Sequence, residues 1–370
     1  MNRARGWLCI LLALFLQTAW ADRVVPSNRV ETQLKVRAAP SSTSAIVGNL
    51  EPGDSAQLVE SVPHWHHIAL DNGTRGYVSK AWSLVIAEST PPPAPDLIRL
   101  GGWNIKKLGH GTSTNFALVV QIIAQNFDIV AVVEVMQRSG GRPGYDTLLQ
   151  QLGPAWSGMI TSKPRPNTSA GDAEFYAILY RPQRIQPCDG WSALRYLADN
   201  DGSASGSGPD LFSREPAFGC FAARLANGST GFDFMLAAYH ARWESGNTAA
   251  IKNEVKHVTK VFEAMKQARP GEKDLILVGD FNLVTSNLES VLGPQVQTLG
   301  SGSTLNTKGE RTNNLYDHLL LHDQAATNEM VGNPQVLDVR DVAASPKVFY
   351  QTVSDHLPVS VQFRSAVDDD

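Results

Sequence analysis

Two kinds of hydrophobic periodicity divide the 370-residue chain. Between residues 28 and 87 the apolar positions fall in short runs separated by turn residues. Leu34-Lys35-Val36-Arg37 alternates apolar with charged side chains, and Ile46-Val47-Gly48-Asn49-Leu50 runs into the turn Glu51-Pro52-Gly53-Asp54. Ala56-Gln57-Leu58-Val59, a run centred on Trp65, the hairpin turn Asp71-Asn72-Gly73 and Gly76-Tyr77-Val78 follow. A period of two broken by Gly, Pro, Asn and Asp marks short antiparallel strands, which predicts a small all-β barrel. Core packing is the common role for aromatic rings in so small a barrel, so at least two of Trp65, Tyr77 and Trp82 are expected inside.

From residue 97 to 364 the period changes repeatedly. Leu97-Ile98-Arg99-Leu100 leads into Trp103-Asn104-Ile105, residues 116–123 place apolar side chains at helical spacing, and the β-branched run 129–133 reads as a buried strand. Residues 174–180 and 232–240 alternate as strands, and 275–278 is a continuous apolar strand. Residues 248–267 put Ile251, Val255, Val258, Val261 and Phe262 on one helical face. Strands alternating with helices and hairpins predict an α/β unit with mixed sheets. The Gly-, Ser- and Asp-rich stretch 199–209 predicts a flexible loop.

Composition adds the flanks. Residues 1–21 carry Arg3 and Arg5, then an apolar run, then Ala19-Trp20-Ala21, which reads as a signal peptide cleaved after Ala21. The mature chain is therefore expected to be secreted or periplasmic, with no integral membrane segment. The prolines of residues 88–96 predict a stiff linker, and residues 365–370 a frayed acidic tail. Cys188 and Cys220, the cysteines left after cleavage, read as a disulfide in an oxidising compartment. The formal charge of −4 counts modestly against nucleic acid, since a protein gripping it by phosphate neutralisation alone is normally basic. Binding of that kind would have to rest on metal ions and a few local cations.

Polar groups capable of catalysis recur where apolar strands stop. Asn104 ends one strand, Glu134 follows Val132-Val133, and His240 closes the run from Phe234. Gly279-Asp280-Phe281-Asn282 follows Leu275-Ile276-Leu277-Val278, while Asp317 and Ser354-Asp355-His356 flank the last strands. Each alone reads as a cap or turn. Together, six strand-end polar sites in one unit point to an active site.

In order, Trp103-Asn104-Ile105, Val133-Glu134-Val135, Tyr239-His240, Gly279-Asp280-Phe281-Asn282, Tyr316-Asp317-His318 and Ser354-Asp355-His356 resemble the motifs of the endonuclease/exonuclease/phosphatase superfamily across residues 97–364. The resemblance implies a four-layer α/β sandwich of two packed mixed β-sheets flanked by helices, with the site at one edge. It also implies phosphate-ester hydrolysis with Mg2+, or Mn2+ or Ca2+, as cofactor. Leu-x-Val-Arg-x-x-Pro, Gly-x-Leu-x-x-Gly, Trp65 and Gly76-Tyr77-Val78 resemble the bacterial SH3-like domain, which implies an all-β barrel and a cell-wall or envelope ligand.

The chemistry calls for these residue types. An anionic phosphodiester repels hydroxide, so a hard cation must offset the charge, and Glu134, Asn104 and Asp355 are the expected metal ligands, with Asp280 completing or sharing the shell. Two histidines divide proton removal and proton delivery. The superfamily pattern pairs His356 with Asp317; Glu174 is the candidate partner of His240. His356 is assigned as base, His240 as acid and Asn282 as a phosphate contact.

Residues 174–182 and Phe212-Ser213-Arg214-Glu215-Pro216 resemble the deoxyribonuclease I group, which implies a DNA substrate with Arg214, and Lys106 beside Asn104, touching phosphate. The chain departs from that group at Gly171-Asp172-Ala173, where a groove-contacting tyrosine is often found. Three alternatives stand beside the nuclease reading: a sphingomyelinase-like or phosphoinositide-phosphatase-like enzyme, an envelope-binding protein with an inert hydrolase domain, and a toxin subunit of the cytolethal-distending type.

Overall fold

Seven short strands, each able to bury one face, make up the first of two units, residues 1–88 and 89–370. The computed structural model describes residues 23–27, 29–86, 96–111, 113–165, 173–199, 210–293, 296–322 and 326–370. The signal-peptide reading, the proline linker apart from Asp96, and the stretch 200–209 lie outside the described residues.

The strands of the small unit are β1 (Arg23–Pro26), β2 (Leu34–Arg37), β3 (Ile46–Leu50), β4 (Ala56–Val62), β5 (Trp65–Ala69), β6 (Arg75–Ser79) and β7 (Ser83–Ile86). They pair antiparallel in the order β3-β2-β6-β5-β4-β1-β7. The sheet opens at Arg23, ahead of the boundary expected at residue 28, because β1 fills the gap between β4 and β7.

Its core is aliphatic, built on Val24, Val36, Leu50, Ile68 and Val78. The expectation that aromatics fill this core fails: Trp65 and Tyr77 are half-buried and Trp82 is exposed. Tyr77 stacks on His67 at 4.5 Å, and Arg29 lies over Trp82. Branched aliphatic side chains suffice for so small an interior, which leaves Trp65 and Trp82 to line a groove of about 570 Å³.

In the large unit β8 (Leu97–Leu108), α1 (Phe116–Asn126) and β9 (Ile129–Met136) form a β-α-β unit with β8 and β9 parallel. Then come α2 (Pro143–Leu152), β10 (Ser157–Ile160), β11 (Glu174–Tyr180), β12 (Ile185–Pro187), β13 (Arg195–Tyr196) and β14 (Ala217–Arg224). A second such unit is β15 (Thr230–His240), α3 (Thr248–Val255), α4 (Thr259–Ala268) and β16 (Leu275–Asp280), again parallel. The helix expected over 248–267 is thus two helices joined by a 3-10 turn at Lys256–Val258. The chain closes with α5 (Thr285–Leu292), β17 (Asp317–Leu321), β18 (Met330–Val336), α6 (Pro346–Thr352) and β19 (Val359–Arg364).

The two six-stranded sheets mirror one another. One runs β10-β11-β9-β8-β19-β18 and the other β12-β14-β15-β16-β17, with β13 also pairing β14. In each, a parallel pair is flanked by antiparallel strands, β11 and β19 in the first and β14 and β17 in the second. Apolar residues on both faces of the central strands make three stacked cores. Leu100, Val133, Ile178, Phe234, Leu236, Val278 and Leu319 fill the space between the sheets. Outside the first sheet α1 contributes Val119 and Ile123, α2 Leu148 and α6 Phe349; outside the second, α3, α4 and α5 contribute Val255, Phe262 and Leu288. This is the four-layer sandwich expected. At Gly102 the sheets come so close that a Cβ would sit 2.4 Å from a Val278 methyl.

Cys188 and Cys220 are bonded, with Cα atoms 5.3 Å apart. The acidic tail is not frayed: the Lys273 amide donates to Asp370, and Asn328 Nδ2 donates to Asp369 at 2.5 Å. Among the described residues no helix is long and apolar enough to cross a membrane.

Candidate active site

The parallel pairs end at the same edge of the sandwich. In the second sheet His240 and Asp280 are register partners, and Asp280 is in turn opposite Asp317. In the first sheet Asn104 faces Val133, one residue before Glu134. Three local devices turn these side chains inward. The β8 register shifts after Asn104, which re-aims the strand. Glu134 adopts a left-handed φ of 58°, held by its amide donating to Glu174 at 2.7 Å and by the Lys107 amide donating to its own carboxylate at 2.7 Å. A bulky acidic residue holds that conformation at a cost of about 1 kcal/mol, which those bonds offset. Gly279 lets β16 approach β15 where a Cβ would lie 1.8 Å from the Tyr239 carbonyl oxygen.

Asp280 is the centre. It is 1 % exposed, and its Oδ2 accepts from Asn104 Nδ2 at 3.1 Å and lies 3.8 Å from His240 Nε2 and 3.6 Å from His356 Nε2. Its Oδ1 accepts from the Asn282 amide at 2.9 Å. Both imidazoles thus turn Nε2 toward one carboxylate.

Each Nδ1 is held from the opposite sheet. His240 of β15 hydrogen-bonds Glu174 of β11 at 2.8 Å, and His356, just before β19, hydrogen-bonds Asp317 of β17 at 2.8 Å. The expected pairings are the ones the fold makes, and each spans the interface between the sheets.

Their electrostatics differ. Burial works to raise the Glu174 carboxyl, but the charges of His240 and Arg214 and the hydrogen bonds from His240 and the Glu134 amide outweigh it, so it lies below the usual carboxylate range. Burial and Arg214 work to lower His240, and Glu174 with Asp280 leaves it raised. For His356, burial is more than offset by Asp317 and Asp280, which push it up to about 10.

Several assigned residues sit otherwise than expected. Arg214 is turned inward: Nε contacts Glu174 at 2.8 Å and the His240 carbonyl at 3.1 Å, and Nη2 donates to the Ala241 carbonyl at 2.7 Å. Its guanidinium fork is spent on holding Glu174 and the end of β15. Asn282 donates from Nδ2 to the same Ala241 carbonyl at 3.0 Å. Lys106 Nζ pairs with Asp355 at 3.5 Å and lies 3.8 Å above the Tyr350 ring.

Two residues escaped the sequence reading. Ser303 Oγ donates to Asp317 at 2.6 Å while accepting the Asp317 and Tyr316 amides, and the Tyr176 hydroxyl accepts from the His240 amide at 3.2 Å. Ser303 lies in irregular chain with no periodic signal. Tyr176 was legible as a strand position only.

The residues fit a divalent cation. Ligand atoms of Asp280, Asp317 and His356 lie within 4.8 Å of one another, and Asn104 bridges Glu134 and Asp280 through its amide nitrogen, at 3.1 Å from each. Asn104 Oδ1 is buried without a hydrogen-bond partner. A buried and a half-buried carboxylate gathered on one amide, beside an orphaned oxygen, form an oxygen-rich nest suited to a hard ion. Asp355, directed at Lys106, stands apart from that group.

A four-layer sandwich whose sheets each lend a histidine and the other's carboxylate, around one buried aspartate, gathers the oriented imidazoles and acidic oxygens that phosphate-ester hydrolysis requires. Residues 32–83 match the bacterial SH3 domain. A deoxyribonuclease of Thioalkalivibrio sp. (strain K90mix) is 29 % identical over 299 residues, covering 76 % of this chain and 75 % of its own. An endonuclease/exonuclease/phosphatase protein of Bacteroides vulgatus superposes with TM-score 0.50 at 17 % identity, over 72 % of this chain and 98 % of its own. A family protein from Bacteroides thetaiotaomicron gives TM-score 0.49 at 18 % identity, over 73 % and 98 %. The large unit has the endonuclease/exonuclease/phosphatase fold, and the small unit is the part of the chain that matches the bacterial SH3 domain.

Proposed function

We propose that the chain is an exported, divalent-metal-dependent nuclease that hydrolyses DNA phosphodiester bonds within the strand. The observation that carries this reading is the convergence of His240 Nε2 and His356 Nε2 on Asp280, 3.8 and 3.6 Å away, with each Nδ1 anchored by its own carboxylate. Two oriented imidazoles on either side of one anionic centre suit an in-line displacement, which needs one proton removed and one delivered. The deoxyribonuclease relative supports DNA as the substrate. At the rim, Trp243, 58 % exposed, tilts against Tyr316 at 6.1 Å and offers an aromatic surface three residues from His240. The disulfide supports export.

Glu134, Asp280 and Asn104 would hold the cation, Mg2+ first among Mg2+, Mn2+ and Ca2+. When bound, it offsets the charge that develops on the phosphate. His356 Nε2, with Nδ1–H donated to Asp317, takes the proton of the attacking water. His240 Nε2, kept protonated by Glu174, delivers a proton to the leaving 3′ or 5′ oxygen. Arg214 and Tyr176 hold the His240 side in place, and Ser303 holds Asp317. The small unit, with Trp65 and Trp82 along its groove, is read as an envelope-binding module.

Supercoiled plasmid with Mg2+ tests the reading. Nicking that chelator stops and His240→Ala abolishes is expected. A folded protein that leaves plasmid intact but releases choline phosphate or inositol phosphate would replace DNA with a lipid head-group.

A further inference from the structure

The strands that end at His240 and Asp280 begin, about 20 Å away at ~3.3 Å per residue, in a second group of carboxylates. Asp233 lies near the start of β15, Glu272 and Asp274 precede β16, and Glu329 precedes β18. Onto them folds the tail, Asp368 and Asp370. Carboxylate oxygens of Glu272, Asp274 and Asp370 lie within 4.8 Å of one another, as do those of Asp233, Asp368 and Asp370. Asp370 joins the two groups.

Three of these side chains are buried: Glu272 is 5 % exposed, Asp274 1 % and Glu329 0 %. Glu272 Oε2, Asp274 Oδ2 and both carboxylate oxygens of Glu329 have no hydrogen-bond partner. Buried carboxylate oxygens without partners are costly, and crowding like charges adds to that cost. The neighbouring cations offset only part of it. Arg269 pairs with Asp233 and lies 3.5 Å from Glu272, and Arg364 Nη1 is committed to the Asn328 carbonyl at 2.7 Å. Backbone and side-chain donors pull the tail in as well: the Lys273 amide donates to Asp370 and Lys273 Nζ to the Asp369 carbonyl at 3.3 Å.

We infer that Glu272, Asp274, Glu329 and Asp370, flanked by Asp233 and Asp368, form a structural site for a hard divalent cation of the calcium class, separate from the catalytic centre, that clamps the C-terminal segment beside the starts of β15, β16 and β18. The donors are all carboxylate oxygens, with neither imidazole nor thiolate, which disfavours zinc and copper. Three rigid buried residues combined with two exposed, adjustable tail residues suit the six to eight oxygens and the loose geometry of Ca2+ better than the strict octahedron of Mg2+.

The test uses the full chain stripped with chelator and titrated with CaCl2 alone, reading bound calcium per chain and melting temperature. Calcium at 100 times its Kd should raise the melting temperature by roughly 5 °C. That rise should persist in Glu134→Gln/Asp280→Asn, which disables the catalytic centre, and vanish in Asp274→Asn/Glu329→Gln together with one bound calcium. Because the buried pair could fail to fold when changed, Asp368→Asn/Asp370→Asn on the exposed tail is a second probe, with Kd expected to rise about tenfold or more. The inference is overturned if calcium leaves the melting temperature unchanged, or if the rise survives in Asp274→Asn/Glu329→Gln. It is equally overturned if the tail variant binds calcium as the parent does, or if the rise is lost only in Glu134→Gln/Asp280→Asn.

Discussion

The two histidine–carboxylate pairs look alike and are built differently. His240–Glu174 is embedded: Glu174 also receives the Glu134 amide and the Arg214 guanidinium, which in turn holds the His240 and Ala241 carbonyls. His356–Asp317 is held more lightly, by the Ser303 hydroxyl on the acid and by the Trp103 indole donating to the His356 carbonyl at 3.0 Å. The first pair has a cation tied to its carboxylate and the second a neutral hydroxyl. Equal geometry at Nδ1 therefore conceals unequal electrostatics: Arg214 depresses Glu174 and restrains the rise of His240, while nothing of that kind restrains His356. Glu174 and Asp280 still leave His240 raised, which suits it to the proton delivery proposed for it. His356 must shed its proton to act as base, and so depends on positive charge arriving beside Asp280 and Asp317.

Removing either imidazole gives the largest expected effect. His240→Ala and His356→Ala should each lower kcat on plasmid DNA by about 10³-fold or more, with unchanged circular dichroism. A variant that keeps a tenth of the activity would remove its histidine from the chemistry. Next comes the disulfide, whose loop carries Arg214. With a sequence separation of 32, Cys188→Ser/Cys220→Ser should cost about 3–4 kcal/mol by the chain-entropy relation. Denaturant midpoints measure this, and an unchanged midpoint would show that the bridge contributes nothing. Arg214→Ala should lower kcat by roughly 10²-fold through misplacement of Glu174 and His240, while KM for DNA changes little. A raised KM with kcat intact would instead restore Arg214 to a phosphate contact. Ser303→Ala should act on the lighter pair alone, at about 1 kcal/mol, or fivefold in kcat.

Acidity is the mildest probe. Glu174 has a folded pKa below its unfolded value, so its contribution to stability is complete above the ordinary carboxylate pKa and is lost as pH falls through the folded value. Melting curves from pH 5 downward should show a loss of a few degrees in the parent that is smaller in Glu174→Gln. Parallel slopes would contradict the assignment.

Much of this arrangement could be read from the chain because several residues of the candidate site, His240 and Asp280 among them, stand where apolar strands stop. Val278-Gly279-Asp280 changes from continuous hydrophobicity to a carboxylate in two residues, a break that alone reads as a turn but gains weight from the other polar strand ends. The same logic exposes His240, whereas Asn104 and Glu134, expected at strand ends, lie inside β8 and β9 at a register shift and a left-handed φ. It fails for Ser303, which belongs to no periodic element, and for Arg214, since sequence tells that a guanidinium is nearby but not which carboxylate claims it. The aromatic residues of the small unit misled for a related reason: hydrophobic content signals a core, yet Val36, Ile68 and Val78 had already filled it. The distal carboxylates were invisible as a group, because Asp233, Asp274, Glu329 and Asp370 meet only through tertiary folding.

The Cys188–Cys220 bridge also bears on resistance to proteolysis. Any single cut by a protease between the two cysteines yields two fragments that remain one covalent molecule. When the cut falls ahead of Arg214, that residue stays next to Glu174 through the downstream half, which continues directly into β14 and β15. Such a nicked enzyme would migrate as one species without reductant and as two with it. One cut between the two cysteines thus leaves Glu174 and His240, on opposite sides of it, in a single covalent molecule.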